Sequence, residues 1–193
     1  MKNKFILGIL CGFTIPLLII AVFSLLFLSY GINQENMDYK SSYAFVDGKS
    51  ILEKHKDVIV VVLSTGCPGK VETTPFLKEK IEYFRKHNIA YILVADEIYN
   101  DNVDNKLDNF KKEFVLNDEI FLMDKNKYLS NSGFFNVKNR YKEFVFDLCK
   151  TNENFPFGYA VYIFIKDGKY VNCFGLDLTD KDLEVYKKAT AKN

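Results

Sequence analysis

Two short runs of the chain are apolar at every position, with no alternation of apolar and polar residues. They lie at residues 58–63 and 89–95. Continuous apolar runs of this length predict strands that are buried on both faces of a sheet. Between them, residues 70–87 carry apolar side chains at helical spacing, which predicts an amphipathic helix. Strand, helix and strand in this order predict a βαβ unit with parallel strands and a right-handed crossover.

The second half of the chain predicts a helix, a short strand, a partly helical stretch and a β-hairpin. These are expected at residues 103–114, 119–124, 128–148 and 159–174. Asp167 and Gly168 are turn residues between two apolar, aromatic runs, a pattern typical of a two-residue hairpin loop. Thr179 and Asp182 have the spacing of a capping box, which predicts that a last helix begins there.

The beginning of the chain is one long apolar run. From Phe5 to Leu28 no residue is charged. As a helix these residues would extend roughly 36 Å, more than the hydrocarbon core of a bilayer, which is about 30 Å thick. Lys2 and Lys4 precede the run, so the N-terminus is expected in the cytoplasm and the rest of the chain outside it. We interpret the run as an uncleaved signal anchor, because a cleaved signal peptide would have a shorter apolar region and a small-residue cleavage site.

Length and composition are those of one globular domain behind this anchor. The chain has 193 residues, 48% of them apolar, and a formal charge of +1. The apolar content supports a sizeable core, and the balanced charge gives no electrostatic basis for binding nucleic acid. We expect a transmembrane anchor at residues 1–30, a linker at 31–45 and one domain at 46–193, in a single-pass protein of the cytoplasmic membrane whose domain is extracytoplasmic.

A cysteine follows the first buried strand. Cys67 lies in a turn of small residues, directly before the predicted helix, and Pro75 lies eight residues further on. A thiol at a helix N-terminus is activated because the helix dipole stabilises the thiolate. Lys70, one turn further on, would add cationic stabilisation of the thiolate. Cys67 is therefore the best candidate for chemistry in the chain, as a nucleophile; the alternative is an inactive position on a domain used for binding.

The arrangement resembles the active site of the thioredoxin superfamily, where strand, Cys-x-x-Cys, helix and a proline eight residues on recur. The resemblance covers the element order of residues 57–190 and is closest to membrane-anchored thioredoxin-like proteins of bacterial envelopes. The matching features are Cys67, Pro75, the turn at Asp167-Gly168-Lys169, and Gly175. The resemblance implies an α/β thioredoxin-like fold, with a central mixed sheet flanked by helices after one N-terminal transmembrane helix, and a helical insertion near residues 128–157.

Three positions depart from the family pattern. Lys70 stands where the second, resolving cysteine is expected, and Gly66 replaces the aromatic residue before the first cysteine. Ala160 stands where the resemblance places a cis-proline, and Pro156 lies four residues upstream. The resemblance then implies a single-cysteine thiol–disulfide oxidoreductase or isomerase that acts on protein or small-molecule disulfides without a cofactor. The alternatives are a non-catalytic interaction module and a thiol peroxidase.

Two further cysteines lie in the predicted domain. Cys149 ends an apolar helical stretch and Cys173 lies on the second hairpin strand. They are candidates for a structural disulfide. They could equally be plain buried thiols, or Cys149 could be a remote resolving partner for Cys67. Spacing alone does not decide among these pairings.

The remaining polar candidates have plain structural alternatives. His55 and His87 lie far apart in the sequence, outside any cluster with metal-ligand spacing, so we predict no metal site. Glu72 is a candidate proton acceptor near Cys67, or simply a carboxylate favoured by the helix dipole. Asp96 and Glu97 follow the second strand, where residues of α/β folds contact ligands. We interpret these two residues as a solvated turn.

Overall fold

The structure, a computed structural model, describes residues 18–24, 38–65, 70–97, 99–128, 132–133, 136–137, 140–150, 160–175 and 177–190. The helices are α1 (Gly48–Lys54), α2 (Lys70–Lys86), α3 (Val103–Phe114), α4 (Arg140–Cys149) and α5 (Asp180–Thr190). The strands are β1 (Phe45–Val46), β2 (Val58–Leu63), β3 (Tyr91–Ala95), β4 (Ile120–Met123), β5 (Ser132–Gly133), β6 (Asn136–Val137), β7 (Ala160–Lys166) and β8 (Lys169–Phe174).

Six strands form one mixed sheet in the order β1-β4-β3-β2-β7-β8. The pairs β1–β4, β4–β3 and β3–β2 are parallel, and the pairs β2–β7 and β7–β8 are antiparallel. The βαβ unit formed by β2, α2 and β3, followed by the antiparallel hairpin of β7 and β8, has the strand order of a thioredoxin-like fold. The predicted mixed sheet with flanking helices is therefore confirmed.

Strand β2 is the centre of the core, because every one of its six residues is buried. Ile59, Val61 and Leu63 face a cluster that includes residues of α2, α3 and α5. The alternate residues of β2 face a second cluster, which includes residues of α1 and α4. A strand covered on both faces has no solvated side and no need for alternating polar residues, which explains its unbroken apolar sequence.

Local turn and cap chemistry matches the sequence in the second half. Asp167 and Gly168 both have positive φ, 52° and 69°, as a type I′ turn between β7 and β8 requires. Before α5, the hydroxyl of Thr179 accepts a hydrogen bond from the N–H of Asp182 at 3.3 Å. The Asp182 carboxylate accepts one from the N–H of Thr179 at 3.0 Å, which completes the predicted capping box.

Three features add to the sequence-based picture. Pro75, for which the sequence allowed either a helix start or an internal kink, lies inside α2. The antiparallel pair β5–β6 lies within the predicted helical insertion and was not predicted. In the stretch expected to be a linker, the Ser41 hydroxyl and the Ser42 N–H donate hydrogen bonds to Asp104 of α3, at 2.5 and 2.8 Å.

The predicted anchor lies mostly outside the described residues. Residues 18–24 of the run from Phe5 to Leu28 are helical and exposed. Within the parts of the chain that the structure describes, no helix has both the length and the apolar character needed to cross a bilayer.

Asp147 of α4 joins α1 to the second core cluster. Its Oδ2 atom accepts hydrogen bonds from Lys127 Nζ and the Tyr128 hydroxyl, each at 2.6 Å, and from the N–H of Lys49 at 3.2 Å. Its Oδ1 atom accepts one from Lys150 Nζ at 2.9 Å. Burial alone would raise the pKa of Asp147, but the hydrogen bonds from Lys127, Tyr128 and Lys150 hold it well below the usual range of an aspartate.

We predict that Asp147→Asn lowers the free energy of unfolding by about 2 kcal/mol at pH 7, because several donors lose their charged acceptor. A carboxyl whose pKa is lowered in the fold contributes stability above its unfolded pKa of about 3.9 and loses it as the pH falls. The difference between wild type and Asp147→Asn should therefore shrink below about pH 4 in urea unfolding followed by circular dichroism. Glu53→Gln is the control, since Glu53 forms only an exposed ion pair with Lys49 at 3.6 Å. An equal loss in the two variants would contradict the prediction.

Candidate functional site

Cys67, the predicted nucleophile, lies outside the described residues, as does Gly66. The structure describes the chain up to Thr65, two residues past the end of β2, and again from Lys70, the first residue of α2. The side chain of Lys70 lies outside the described residues. The candidate site is therefore built from the residues that surround the end of β2, and the roles of Cys67 and Lys70 stay predictions.

Parallel pairing places the ends of β2 and β3 side by side. Leu63 pairs with Ala95, and the N–H of Asp96 donates a hydrogen bond to the carbonyl of Leu63 at 2.8 Å. Thr65 and Glu97 each lie two residues beyond this pair, at the same edge of the sheet. The carboxyl ends of parallel strands are the edge at which open α/β folds place ligand-contacting residues.

Glu97 is buried and holds Thr65. The residue is only 5% exposed. Its Oε1 atom accepts a hydrogen bond from the N–H of Thr65 at 2.7 Å and a second, very short one from the Thr65 hydroxyl. The interpretation of Glu97 as part of a solvated turn is thus wrong. The sequence does not reveal this burial, because a carboxylate that follows a strand gives the same sequence pattern whether it faces solvent or a neighbouring loop.

Two cations contact Glu97, Lys106 at its carboxylate and Arg140 at its backbone carbonyl. Lys106 of α3 places its Nζ 3.8 Å from Oε2 of Glu97. Arg140 of α4, also 5% exposed, donates from its guanidinium to the backbone carbonyl of Glu97 at 2.5 Å. Arg140 also lies 4.0 Å from the Asp96 carboxylate. Burying an ionised carboxylate is costly unless it is paired and hydrogen-bonded, and both conditions hold here.

Arg140 was not singled out in the sequence, yet it joins three elements at this edge. Its Nε donates to the carbonyl of Tyr128 at 3.0 Å, and its guanidinium stacks 4.2 Å from the ring centre of Tyr99. The planar guanidinium makes this combination of stacking and forked donation, which a lysine does not reproduce. Arg140 thereby ties the turn after β3 to α4 and to the segment after β4.

The start of β7 lies beside the same edge. Ala160 pairs with Leu63 of β2 and is buried. The position at which the resemblance places a cis-proline thus lies opposite the end of β2. All peptide bonds among the described residues are trans, and Pro156 lies outside those residues.

The two other predicted cysteines come together in the second core cluster. Cys149 is buried in that cluster, and Cys173 of β8 packs against it. Among the described residues, neither forms a disulfide. Burial, and secondly the charge of Asp177, raises the pKa of Cys173 to about 12. Cys173 therefore carries almost no thiolate at neutral pH, and a disulfide between the two stays a prediction.

The remaining predicted candidates do not join the site. His55 caps the end of α1, whereas His87 lies near α5, with its Nδ1 2.9 Å from Lys187 Nζ. Glu72 belongs to the first turn of α2, and its side chain lies outside the described residues. Within the described residues no three potential metal ligands form a cluster.

Comparisons with known proteins give similar structures only. No family model and no curated protein matches the chain. The thioredoxin domain of a thiol-disulfide oxidoreductase from Bacteroides vulgatus is similar over 70% of this chain and 79% of its own, with 18% identity and a TM-score of 0.43. A thiol:disulfide interchange protein of the thioredoxin family from Chlorobium tepidum TLS is similar over 79% of this chain and 98% of its own, with 13% identity and a TM-score of 0.44. The activities in these names belong to those proteins.

We predict that Arg140→Met destabilises the fold by about 3 kcal/mol, because it leaves the buried carbonyls of Tyr128 and Glu97 without their donor and removes the cation beside Asp96. The matched control is Arg85→Met, at the only other arginine of the chain, whose side chain is 45% exposed beside Asp118. An exposed ion pair contributes about 0–1 kcal/mol. Urea unfolding of both variants measures the difference, and equal losses would contradict the role given to Arg140.

Proposed function

We propose that this chain is a membrane-anchored, extracytoplasmic, thioredoxin-like protein that exchanges thiols and disulfides through Cys67. The observation that supports the proposal is the place of this residue in the chain, between the buried end of β2 and the first residue of α2, Lys70. A thiol in that sequence position can gain thiolate character from the helix dipole and from a lysine cation. The buried Glu97, which holds Thr65 two residues before Cys67, adds a fixed attachment for the turn.

The proposed chemistry is exchange without net oxidation. The Cys67 thiolate attacks one sulfur of a disulfide, which forms a mixed disulfide with the protein and releases the other sulfur as a thiolate that takes up a proton. A thiol of the substrate, or a small free thiol, then attacks the mixed disulfide and restores the Cys67 thiolate. One disulfide is consumed and one is formed, so no external oxidant or reductant is needed. Lys70, in place of a second cysteine, leaves resolution to the substrate.

The proposed location follows from the apolar run before the domain. The segment from Phe5 to Leu28 would cross the membrane once, with Lys2 and Lys4 on the cytoplasmic side. The domain would then face an envelope compartment in which disulfides form and persist. Protein or small-molecule disulfides in that compartment are the proposed substrates.

The other thiols of the domain are poor competitors for this role. Cys149 is buried among apolar side chains, and the raised pKa of Cys173, about 12, keeps it protonated. Burial of Cys149, and the charge of Asp177 beside Cys173, disfavour a reactive thiolate at these two described thiols. Cys67 is therefore the thiol on which we place the reaction.

The alternative is a thioredoxin-like interaction module without turnover. One observation favours it. Lys70 occupies the position of the resolving cysteine, so this site cannot run a redox cycle that needs two neighbouring thiols. A binding module would keep the fold and the buried Glu97, and the identity of residue 67 would not affect its task.

We predict that Cys67→Ser lowers the rate of thiol–disulfide exchange at least about tenfold, since a serine hydroxyl is not ionised near neutral pH. The assay follows scrambling of a fluorescent peptide disulfide in the presence of a small reduced thiol. Cys173→Ser is the matched control and should retain the wild-type rate, because this thiol is protonated at neutral pH. Equal rates for wild type and Cys67→Ser would reject the exchange function and favour the interaction module.

We also predict that Lys70→Met slows alkylation of Cys67 by iodoacetamide at pH 7 about two- to fivefold, since a nearby cation stabilises a thiolate by about 0.3–1 kcal/mol. Mass spectrometry of the peptide that contains Cys67 measures the alkylation rate of this residue alone, so the other cysteines need not be substituted. Lys78→Met, further along α2, is the control. If both variants react at the wild-type rate, Lys70 does not activate the thiol.

A further inference from the structure

We propose that Glu97 is a positioning residue, which fixes the turn carrying Cys67 by holding Thr65. The inference rests on the proposed reactivity of Cys67. It assigns a specific task to a buried carboxylate that the exchange chemistry itself does not use. Glu97 is one of three buried charged residues among those described, with Lys80 and Arg140.

The geometry shows how Glu97 holds the turn. Both hydrogen bonds from Thr65, one from its N–H and one from its hydroxyl, end on the same oxygen, Oε1. The second oxygen, Oε2, faces Lys106 Nζ at 3.8 Å. Two donors from one residue on one acceptor fix both the backbone and the side chain of Thr65. The other oxygen is turned toward the cation, so the carboxylate has a defined orientation.

The attachment continues from Glu97 into the body of the domain. The carbonyl of Glu97 accepts from Arg140 of α4 at 2.5 Å, and Asp96, directly before it, extends the β2–β3 pairing. Thr65 is thus connected, through Glu97, to α4, which packs on the face of the sheet opposite to α2. Since consecutive Cα atoms are about 3.8 Å apart, chain connectivity keeps the Cα of Cys67 within about 7.6 Å of that of Thr65.

The burial of Glu97 sets it apart from an ordinary turn cap. The chain holds a second threonine whose N–H and hydroxyl both donate to one carboxylate, Thr179 with Asp182, and there the pair is exposed at the start of α5. The exposed version makes the same bonds without the cost of burying a charge. At Glu97 the cation of Lys106 offsets that cost, and Arg140 holds the backbone carbonyl of the same residue, so α3 and α4 both contribute to holding a single turn.

The test compares four variants of the full chain by the rate at which iodoacetamide alkylates Cys67 at pH 7. Glu97→Ala removes the oxygen that accepts both Thr65 bonds and should slow alkylation about fivefold, because the proposed activation of Cys67 by the helix dipole depends on how the preceding residue is held. Glu97→Gln should stay within about twofold of wild type, because a single amide oxygen can accept both Thr65 donors. Thr65→Val should slow the reaction and Thr65→Ser should restore it, because only serine keeps the hydroxyl.

Asp182→Ala is the matched control, since it removes the same pair of bonds at the start of α5 and should leave the alkylation of Cys67 unchanged. Urea unfolding of each variant accompanies the rates. If Glu97→Ala and Thr65→Val lose stability, and the alkylation rate does not recover in Glu97→Gln and Thr65→Ser, Glu97 is only a structural cap. If Glu97→Ala fails to fold, the Thr65→Val and Thr65→Ser pair decides, because it changes one hydroxyl.

The inference and the proposed function fail in different assays. Wild-type alkylation rates in Glu97→Ala and Thr65→Val would overturn the positioning role, even if Cys67→Ser abolishes exchange. Slow alkylation in these variants, together with an exchange rate unaffected by Cys67→Ser, would keep the positioning role and overturn the exchange function.

Discussion

Burial of β2 on both faces is the constraint on which the rest of the structure depends. A strand inside the domain must pair every N–H and carbonyl with a neighbouring strand, because no water is available to them. Strand β3 supplies those partners on one side and β7 on the other. Two helical layers must then cover the faces, and the two core clusters do so. The end of β2 consequently emerges between both layers at a position that many contacts determine.

That position explains why buried charge gathers at this edge. Where β2 and β3 end, their last carbonyls and the turn that follows lose their strand partners and need others. Asp96 extends the pairing by one residue, and beyond it Glu97 and Arg140 take over as acceptor and donor. These two residues replace the ladder with charged hydrogen bonds, which are stronger than neutral ones but need a nearby opposite charge when buried. Lys106 supplies that charge for Glu97, and Asp96 supplies it for Arg140.

The parts that the sequence predicts are those decided by local chemistry. An unbroken apolar run predicts β2, the Asp167-Gly168 dipeptide predicts the hairpin, and Thr179 with Asp182 predicts the start of α5, because each signal lies within a few residues. The environment of Glu97 depends instead on Thr65 and Arg140, which are 32 and 43 residues away in the sequence. The β5–β6 pair escaped prediction for a related reason: two-residue strands carry no periodic pattern.

A site with a single cysteine places a different demand on its surroundings from a site with two. When a second thiol is adjacent, it resolves the mixed disulfide within the protein, so the complex with the substrate is short-lived whatever the exact placement of the first thiol. Without that thiol, the mixed disulfide lasts until a substrate thiol attacks it, and attack requires the two sulfurs to line up with the incoming thiolate. Holding the turn rigidly then matters more, since its orientation decides whether an outside thiol can reach the bond. A buried carboxylate that accepts two bonds from Thr65, with Lys106 at its other oxygen and Arg140 at its carbonyl, would meet that demand at the proposed site.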